Sequence, residues 1–314
     1  MTDDRRKLIS IVNPCYNEIE NIDELCRRTK AVMQGFARYE YEQVIIDNAS
    51  TDGTQGRLRE LAAADPHIKV ILNTRNFGHI RSPYHALMQA RGDAVLFLAS
   101  DLQDPPEMIE KFINEWEKGI KVVVGVKPVS KESPFMFFLR RVYYNSIGRI
   151  SDIQLIPNFT GFGLYDREVM DNLRKINDPY PYFRGLIAEL GYPYTSVPFE
   201  QPRRIRGITK NNFYTLYDIA MLGITSHSKL PLRIATMAGF VMAFLCMLIA
   251  AGYMAAKLLF WSDFNLGVAP IVIGFFFFTG IQLFFIGLLG EYIGSIHTTV
   301  RSHPHVIEME RINF

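Results

Sequence analysis

Acidic and amide side chains recur in this chain wherever an apolar run gives way to a polar stretch. The four stretches are Asn13-Pro-Cys-Tyr-Asn-Glu18, Asp47-Asn-Ala-Ser-Thr-Asp-Gly-Thr54, Asn73-Thr-Arg-Asn-Phe-Gly78 and Ser100-Asp-Leu-Gln-Asp-Pro-Pro-Glu107. Such groups suit a nucleotide, because carboxylates accept hydrogen bonds from a base and a ribose and can hold a divalent ion between phosphates. Each stretch alone has a plainer explanation as a turn or a helix start. Four together favour a binding site.

The runs that precede these stretches are predicted strands of one sheet. Apolar segments predict strands at 8–12, 43–47, 68–72, 94–99 and 121–126, and the segments between them predict helices at 19–35, 54–64, 80–90 and 105–119. Strands that alternate with helices in this way indicate an α/β fold, with a mostly parallel sheet covered on both faces. Ligands of such sheets bind beyond the carboxyl ends of the strands, where the polar stretches fall.

Two long apolar segments, 232–260 and 266–289, predict two transmembrane helices. Each has the roughly 20 apolar residues that cross a bilayer core of about 30 Å. Buried core helices, the alternative, are usually shorter and amphipathic. The sequence thus predicts a head at 1–211, a juxtamembrane interfacial helix at 212–231, two transmembrane helices within 232–290 and a cytoplasmic tail at 291–314.

The charges that flank the apolar segments predict their orientation. Lys229 and Arg233 precede or open the first segment and Arg301 and Arg311 follow the second, while the connecting loop carries Asp263 and no base. The positive-inside rule then places the head and both termini in the cytoplasm, as a multi-pass protein of the cytoplasmic (inner) membrane. The formal net charge of +2 is too small to indicate a nucleic-acid partner. The three unclustered cysteines are typical of reduced thiols.

Taken with the two apolar segments, the motifs resemble those of the membrane-anchored polyprenyl-phosphate glycosyltransferases of glycosyltransferase family 2. That group includes dolichyl-phosphate mannose synthase and the bactoprenol glucosyltransferases. Besides the first two stretches above, the matching motifs are Arg75-Asn-Phe-Gly78, Ala90-Arg-Gly-Asp93, Asp101-Leu-Gln-Asp-Pro-Pro-Glu107, Thr160-Gly-Phe-Gly-Leu-Tyr-Asp-Arg167, Arg204-Ile-Arg-Gly-Ile-Thr-Lys210 and Gly290-Glu-Tyr-Ile-Gly294. The resemblance implies a GT-A, Rossmann-like head.

The resemblance also implies which residues meet the nucleotide-sugar donor. The implied donor-binding residues are Pro14, Tyr16, Glu18, Asp47, Asn48, Arg75 and Asp101. Asn48 stands at the second of two usual aspartates, and Arg75 is expected near the phosphates.

A divalent ion, Mg²⁺ or Mn²⁺, is implied at Asp101 and Gln103, the remainder of the family's D-x-D-x-Q element. Ala99 stands where the first aspartate is common, and Asp104 is a further candidate ligand. One carboxylate and an amide oxygen still suffice when phosphates and waters complete the coordination.

The acceptor in this family is a lipid phosphate, whose second pKa of about 6 leaves it largely ionised. It needs positioning by cations rather than a strong base. This matters because Gly161 and Gly163 stand where bactoprenol-type relatives often carry an aspartate and an arginine. The candidate acceptor-phosphate residues are Arg204, Arg206, Lys210, Arg140 and Arg141, and the candidate catalytic residues are Asp101, Arg204 and Lys210. A basic patch facing anionic lipid is an alternative explanation of these cations that does not exclude the first.

Aromatic and basic residues alternate in the segment 133–150, which predicts an interfacial amphipathic segment at the membrane; packing against the sheet is the alternative. The predicted function is inverting transfer of a single sugar, with a UDP-sugar favoured, to polyprenyl (undecaprenyl) phosphate at the cytoplasmic membrane face. Its product would be a polyprenyl monophosphate sugar for cell-envelope glycan modification. The family also implies a homo-oligomer, specifically a tetramer.

Two other functions stay open at this point. A processive polysaccharide synthase would share the head, but neither Trp116 nor Trp261 lies in a Q-x-x-R-W motif. A non-catalytic GT-A scaffold is motivated by Ala99 and Gly163, while retention of Asp47, Asp101 and Gln103 argues against it. UDP-glucose, UDP-N-acetylhexosamine, other UDP-sugars and GDP-mannose all fit the residues.

Overall fold

The computed structural model describes residues 6–127, 156–157, 159–176, 178, 181–200, 230–259, 268–300 and 304–314. These residues form two compact units. One contains the β-strands and includes residues 304–314, and the other contains two long helices.

The first unit is built on an eight-stranded sheet within the described residues. Its strands are β1 (Leu8–Cys15), β2 (Glu40–Asp47), β3 (Ile68–Asn73), β4 (Ala94–Phe97), β5 (Val122–Val126), β6 (Phe159–Asp166), β7 (Tyr194–Pro198) and β8 (Glu308–Ile312). Its helices are α1 (Ile22–Gln34), α2 (Thr54–Ala64), α3 (Gly78–Gln89), α4 (Met108–Glu117), α5 (Arg167–Lys175) and α6 (Phe183–Glu189). The strand order is β7-β5-β6-β4-β1-β2-β3-β8.

The middle of the sheet is parallel and its flanks are mixed. β1 pairs in parallel with β2 and with β4, β2 with β3, and β5 with β7. β6 is antiparallel to β4 and β5, and β8 is antiparallel to β3. The predicted α/β, GT-A-like architecture with a mostly parallel sheet is therefore confirmed. Because β6 runs backwards, its first residues lie at the edge where β4 and β5 end.

Both faces of the sheet are buried, which explains why its strands are continuous apolar runs. Neighbouring residues of a strand point to opposite faces. Ile11 and Ile45 accordingly belong to one core cluster, and Val12 and Val44 belong to the other, all fully buried. The helices cover both clusters and leave the carboxyl ends of the central strands to their loops.

The C-terminal residues take part in this sheet. The sequence prediction treated 291–314 as a tail, whereas β8 pairs with β3, with Val70 opposite Ile312. Its five residues, Glu-Met-Glu-Arg-Ile, alternate between half-buried and exposed. Such a polar alternation is typical of an edge strand with one face on the protein.

The second unit consists of α7 (Leu230–Leu259) and α8 (Val268–Val300), close to the predicted segments. Within the described residues, one window, Phe277–Gly294, is long and apolar enough to cross a bilayer by length and composition. The apolar run of α7 is the shorter Ala235–Ile249. Two transmembrane helices therefore remain a prediction.

Candidate active site

The loops after β1 and β2 are joined by hydrogen bonds at the carboxyl edge of the sheet. Asn17 N donates to Ser50 Oγ at 2.7 Å, and Thr51 N donates to Asn17 Oδ1 at 2.8 Å. Glu18 N donates to Thr54 Oγ1 at 3.1 Å. These bonds fix two of the four predicted polar stretches against each other, so Glu18 and Asp47 belong to one preformed edge of the sheet.

Asp47 ends β2 and is fully buried. Its Oδ1 accepts from Ser50 N and from Gln55 Nε2, both at 2.9 Å, and its Oδ2 accepts from the Ser50 hydroxyl. The carboxylate is thus locked in one orientation at the point where the sheet ends.

The side-chain amide of Asn48 is hydrogen-bonded to the neighbouring loop. Its Oδ1 accepts from Phe77 N at 2.9 Å and from Asn73 Nδ2 at 3.2 Å. Its Nδ2 donates to Asn76 Oδ1 at 2.9 Å and to Gly78 O at 3.2 Å. All four hydrogen bonds that an asparagine amide can form are made inside the protein. In this geometry Asn48 positions the loop after β3, which carries Arg75.

Arg75 lies on the surface of that loop. Its guanidinium carbon is 4.0 Å from the centroid of the Phe77 ring, and its Nη1 donates to Asn76 O at 3.1 Å. Pro14 lies beside Ile46 near the end of β1, beyond the last residue pair that joins β1 to β4, Val12 and Phe97. Because β2 and β4 lie on opposite sides of β1, a crevice opens there at a topological switch point, where α/β sheets bind ligands.

The loop after β4 carries two neighbouring carboxylates. Asp101 Oδ1 accepts from Gln103 N at 3.1 Å. Burial and, next, the Asp101 carboxylate raise the pKa of Asp104 to about 6. Close acidic oxygens beside an amide oxygen are the donors that Mg²⁺ and Mn²⁺ take, and a cation would relieve the repulsion between the carboxylates. The donor set therefore fits a divalent ion completed by phosphate oxygens. Among the described residues, no three or more His, Cys, Asp or Glu side chains are placed so that they could hold a metal ion by themselves.

Three of these loops contain a non-glycine residue with positive φ. The residues are Asn17 at 57°, Ala49 at 62° and Leu102 at 58°. A left-handed conformation costs roughly 1–2 kcal/mol in a residue with a Cβ, and it persists where the surrounding structure over-determines it. Such residues cluster at binding sites, which fits the assignment of this edge as the site.

The two glycines of β6 explain the missing aspartate and arginine. A Cβ on Gly163 would lie 2.4 Å from Val123 O, so no side chain fits without a shift of the backbone. Gly161 has φ +102°, and a Cβ there would meet Phe97 and Phe183 at 3.7 Å. This part of the site is consequently apolar. The sequence noted both departures but not their cause, because the close strand approach is a tertiary feature.

One family motif lies away from the site. Ala90-Arg-Gly-Asp93 precedes β4, at the opposite edge of the sheet, where Gly92 N donates to Ser10 Oγ at 2.7 Å and Asp93 Oδ2 accepts from Leu8 N at 2.8 Å. A Cβ on Gly92 would lie 2.6 Å from Ser10 N. This motif therefore holds the sheet together rather than contributing to the site.

Two cations at the site edge were not predicted from the sequence. Lys127 directly follows β5 and lowers the pKa of Asp104, against the larger effects of burial and Asp101. Arg184, on α6, donates through Nη1 to Phe159 O at 3.4 Å. The signal for Lys127 is its position directly after the predicted strand 121–126, where ligand-binding groups are expected. Arg140, Arg141, Arg204, Arg206 and Lys210 lie outside the described residues, as do the segments 133–150 and 212–229.

Similarity to known proteins places this chain in a family. Residues 10–174 match the family model described as glycosyl transferase family 2. The chain is 35% identical to the uncharacterized glycosyltransferase YkcC of Bacillus subtilis, over 94% of this chain and 91% of the relative. It is 33% identical to the bactoprenol glucosyl transferase of Shigella phage SfII, over 95% and 96%.

A more distant likeness is to the solved mannosyltransferase PcManGT from Pyrobaculum calidifontis in complex with GDP-Man and Mn²⁺. The two are 17% identical with a TM-score of 0.47, over 95% of this chain and 88% of that one. The match to the family model and the identity to near-full-length relatives are decisive: the chain belongs to glycosyl transferase family 2 and is a glycosyltransferase.

Proposed function

We propose that this chain transfers a single sugar, with inversion, from a UDP-sugar to polyprenyl phosphate at the cytoplasmic face of the inner membrane. The observation that carries the proposal is the preformed acidic edge at the β1–β4 crevice, in a chain one-third identical to a phage bactoprenol glucosyl transferase along nearly its whole length. The activity for which such relatives are named supports a membrane-associated enzyme and a polyprenyl-phosphate acceptor.

The donor would lie across the fixed loops of β1 and β2. Pro14, Tyr16, Glu18 and Asp47 are the proposed contacts to the nucleoside, and Arg75 is the proposed contact to the diphosphate. Asn48 would contribute to donor binding indirectly, because its amide is already hydrogen-bonded to the loop that carries Arg75. A surface fixed before binding loses little entropy when the donor arrives.

Asp101 and Gln103 would hold Mg²⁺ or Mn²⁺, with Asp104 close by. When bound, the ion neutralises charge on the diphosphate and so makes it a better leaving group. The chain's own part is to keep the two carboxylates in a tight, strained turn around Leu102, whose φ of 58° is uncommon for a leucine.

The acceptor needs no carboxylate at Gly161. A phosphate monoester with a pKa of about 6 is already a nucleophile near neutral pH. Phe97 and Phe183, the neighbours of Gly161, offer no group that could remove a proton, which fits an acceptor that is already ionised. Arg204, Arg206 and Lys210 are the proposed cations for the acceptor phosphate, with Arg140 and Arg141 as further candidates.

Direct displacement of the diphosphate by the phosphate oxygen would invert the anomeric carbon, so an α-linked donor would give a β-linked polyprenyl monophosphate sugar. Two membrane-spanning helices, the interfacial segment 133–150 and a homo-oligomer belong to the same proposal. The head would then face a bilayer-embedded acceptor from the cytoplasm.

The proposal is tested with the full-length protein, undecaprenyl phosphate and a panel of radiolabelled UDP-glucose, UDP-N-acetylhexosamines and GDP-mannose. We expect one UDP-sugar to be transferred, mass spectrometry of the product to show one phosphate, and NMR to show a β anomer. A polymeric product would favour the processive alternative. An α linkage or a diphosphate product would overturn the mechanism.

Arg204→Ala and Lys210→Ala should reduce the rate of transfer to the lipid phosphate more than they reduce UDP affinity, which is measured by calorimetry.

A further inference from the structure

Residues 304–314, here called the C-terminal strap, contact the loop that carries Arg75. Ile307 O accepts two hydrogen bonds from Thr74, one from N at 3.0 Å and one from Oγ1 at 3.2 Å. Thr74 is the residue immediately before Arg75. The strap therefore fixes the chain at the point where the loop leaves β3.

The strap also holds the other end of the loop, through α3, which begins at Gly78. His85 Nε2 donates to Glu308 Oε1 at 2.6 Å, and the two side chains are only 18% and 22% exposed. The ring of His305 lies edge-on to Tyr84, with centroids 5.1 Å apart. Partly buried pairs of this kind hold better than exposed ion pairs. Consecutive strap residues thus reach both sides of the Arg75 loop.

The loop itself is exposed between these points. Thr74, Arg75 and Asn76 are exposed, and the sheet side of the loop is held by Asn48. A long cation at the tip of a mobile loop would lose conformational entropy each time it met a phosphate. A backbone clamped at both ends reduces that loss, because only the side chain still has to be ordered.

We propose that the C-terminal strap is a positioning element for the donor diphosphate, in which Ile307 and Glu308 fix the two ends of the Arg75 loop. The proposal rests on the proposed function, in which Arg75 meets the donor. Glu308 and His85 are positioning residues that act through Arg75.

Glu310, two residues further along the same strand, supplies a matched control. Glu310 pairs with Arg59 of α2 at 2.7 Å, with 40% and 42% of the two side chains exposed. Glu308→Ala removes the partner of His85 on α3 and of Arg311, whereas Glu310→Ala removes the partner of Arg59 on α2. Only Glu308→Ala therefore loosens α3 next to the loop.

The experiment measures steady-state kinetics of the full-length enzyme with each substrate varied in turn. We expect Glu308→Ala to raise the donor KM about tenfold while the acceptor KM stays within about twofold. Glu308→Gln keeps an oxygen for His85 and should restore most of the donor affinity. Glu310→Ala should leave both KM values unchanged. If Glu308→Ala and Glu310→Ala had equal effects on the KM values, the strap would contribute only to the stability of the sheet, and the proposal would be overturned.

A second measurement separates this inference from the proposed function. Deuterium exchange of a peptide covering residues 73–79, without ligand, should be faster in Glu308→Ala than in Glu310→Ala. Equal exchange would refute the strap inference even if the enzyme transfers sugar. Failure of the unsubstituted protein to bind any nucleotide-sugar in calorimetry would refute the proposed function, and with it the positioning of a diphosphate.

Discussion

Single residues decide how this site departs from the family pattern. Asn48 replaces a usual aspartate, and the structure gives it four hydrogen bonds, two as a donor. An aspartate could keep the two in which Oδ1 accepts, but an ionised carboxylate cannot donate to Asn76 Oδ1 or Gly78 O. The asparagine is therefore matched to the hydrogen bonds of the Arg75 loop.

We accordingly predict that Asn48→Asp, although it restores the family residue, weakens this protein. Two acceptor oxygens would face a carboxylate, which costs about 1–3 kcal/mol of unfolding free energy. Calorimetry should show weaker binding of UDP, and chemical unfolding a lower stability. Asn48→Ala serves as the control, since it removes the hydrogen bonds without adding charge. A variant with unchanged stability and tighter UDP binding would contradict this account of Asn48.

A second prediction concerns Asp101 and the ion. Asp101→Asn keeps the shape of the side chain but removes a charge, so we expect Mn²⁺ affinity, measured by calorimetry, to fall by at least about tenfold. Transfer should be abolished, and EDTA should abolish it reversibly in the unsubstituted enzyme. Full activity in EDTA would show that Ala99 marks a metal-independent site.

At the scale of elements, hydrogen-bonded loop ends carry a pH dependence. Asp65 ends α2, where it accepts from Lys30 Nζ at 2.8 Å and from His67 Nδ1 at 2.7 Å. Burial alone would raise the pKa of Asp65, but the bonds from Lys30 and His67 outweigh it and lower the pKa to about 2. The ordinary pKa of an aspartate, 3.8, applies in the unfolded chain. The stabilisation by the charged Asp65 is therefore complete above about pH 4 and is lost as the pH falls towards 2.

We predict that Asp65→Asn lowers the unfolding free energy by about 1 kcal/mol at pH 7. The pKa shift alone would give roughly twice that, but Lys30 is 53% exposed and solvent screens the pair. Urea unfolding at pH 7 and at pH 3 measures the difference, which should shrink at the lower pH. An equal difference at both values would refute the assignment to charge.

The sequence predicted the first five strands and did not predict the last three as strands. The predicted helix 54–64 coincides with α2, Thr54–Ala64, because a turn with Gly53 in a left-handed conformation begins it. β6 was recognised only as a motif, since Gly161 and Gly163 argue against a strand. Its place between β4 and β5 depends on close backbone contact with Val123, which no local pattern encodes. The bonds of Asn48 were missed for the same reason, because their partners lie in a different loop.

At the scale of the whole molecule, the number of membrane spans determines the topology of the chain. α7 and α8 match the predicted segments, and large side chains such as Phe240 and Phe284 are exposed on them. One window qualifies as a span by length and composition within the described residues. Because β8 pairs with β3, residues 304–314 lie on the same side of a membrane as the head, and a single span does not fit this fold. Two spans would put the connecting loop on the opposite side from the head and residues 304–314.

That difference gives a topological prediction. A cysteine introduced at Asp263 should react with a membrane-impermeant maleimide in intact spheroplasts, whereas one introduced at Glu310 should react only after lysis. The unsubstituted chain is the control for its three natural cysteines. Labelling of both positions from outside would contradict a cytoplasmic C-terminus, and with it the two-span arrangement.

The pairing of β8 with β3 has a consequence for how the protein is made. β3 leaves the ribosome early, but the strand that covers its edge follows both long helices in the chain. At about 5–20 residues per second, that edge waits roughly tens of seconds with unpaired backbone groups. For a chain whose helices enter the bilayer as they are synthesised, the sheet is completed only after insertion. Maturation of the catalytic head would then be tied to arrival at the membrane, where the proposed acceptor resides.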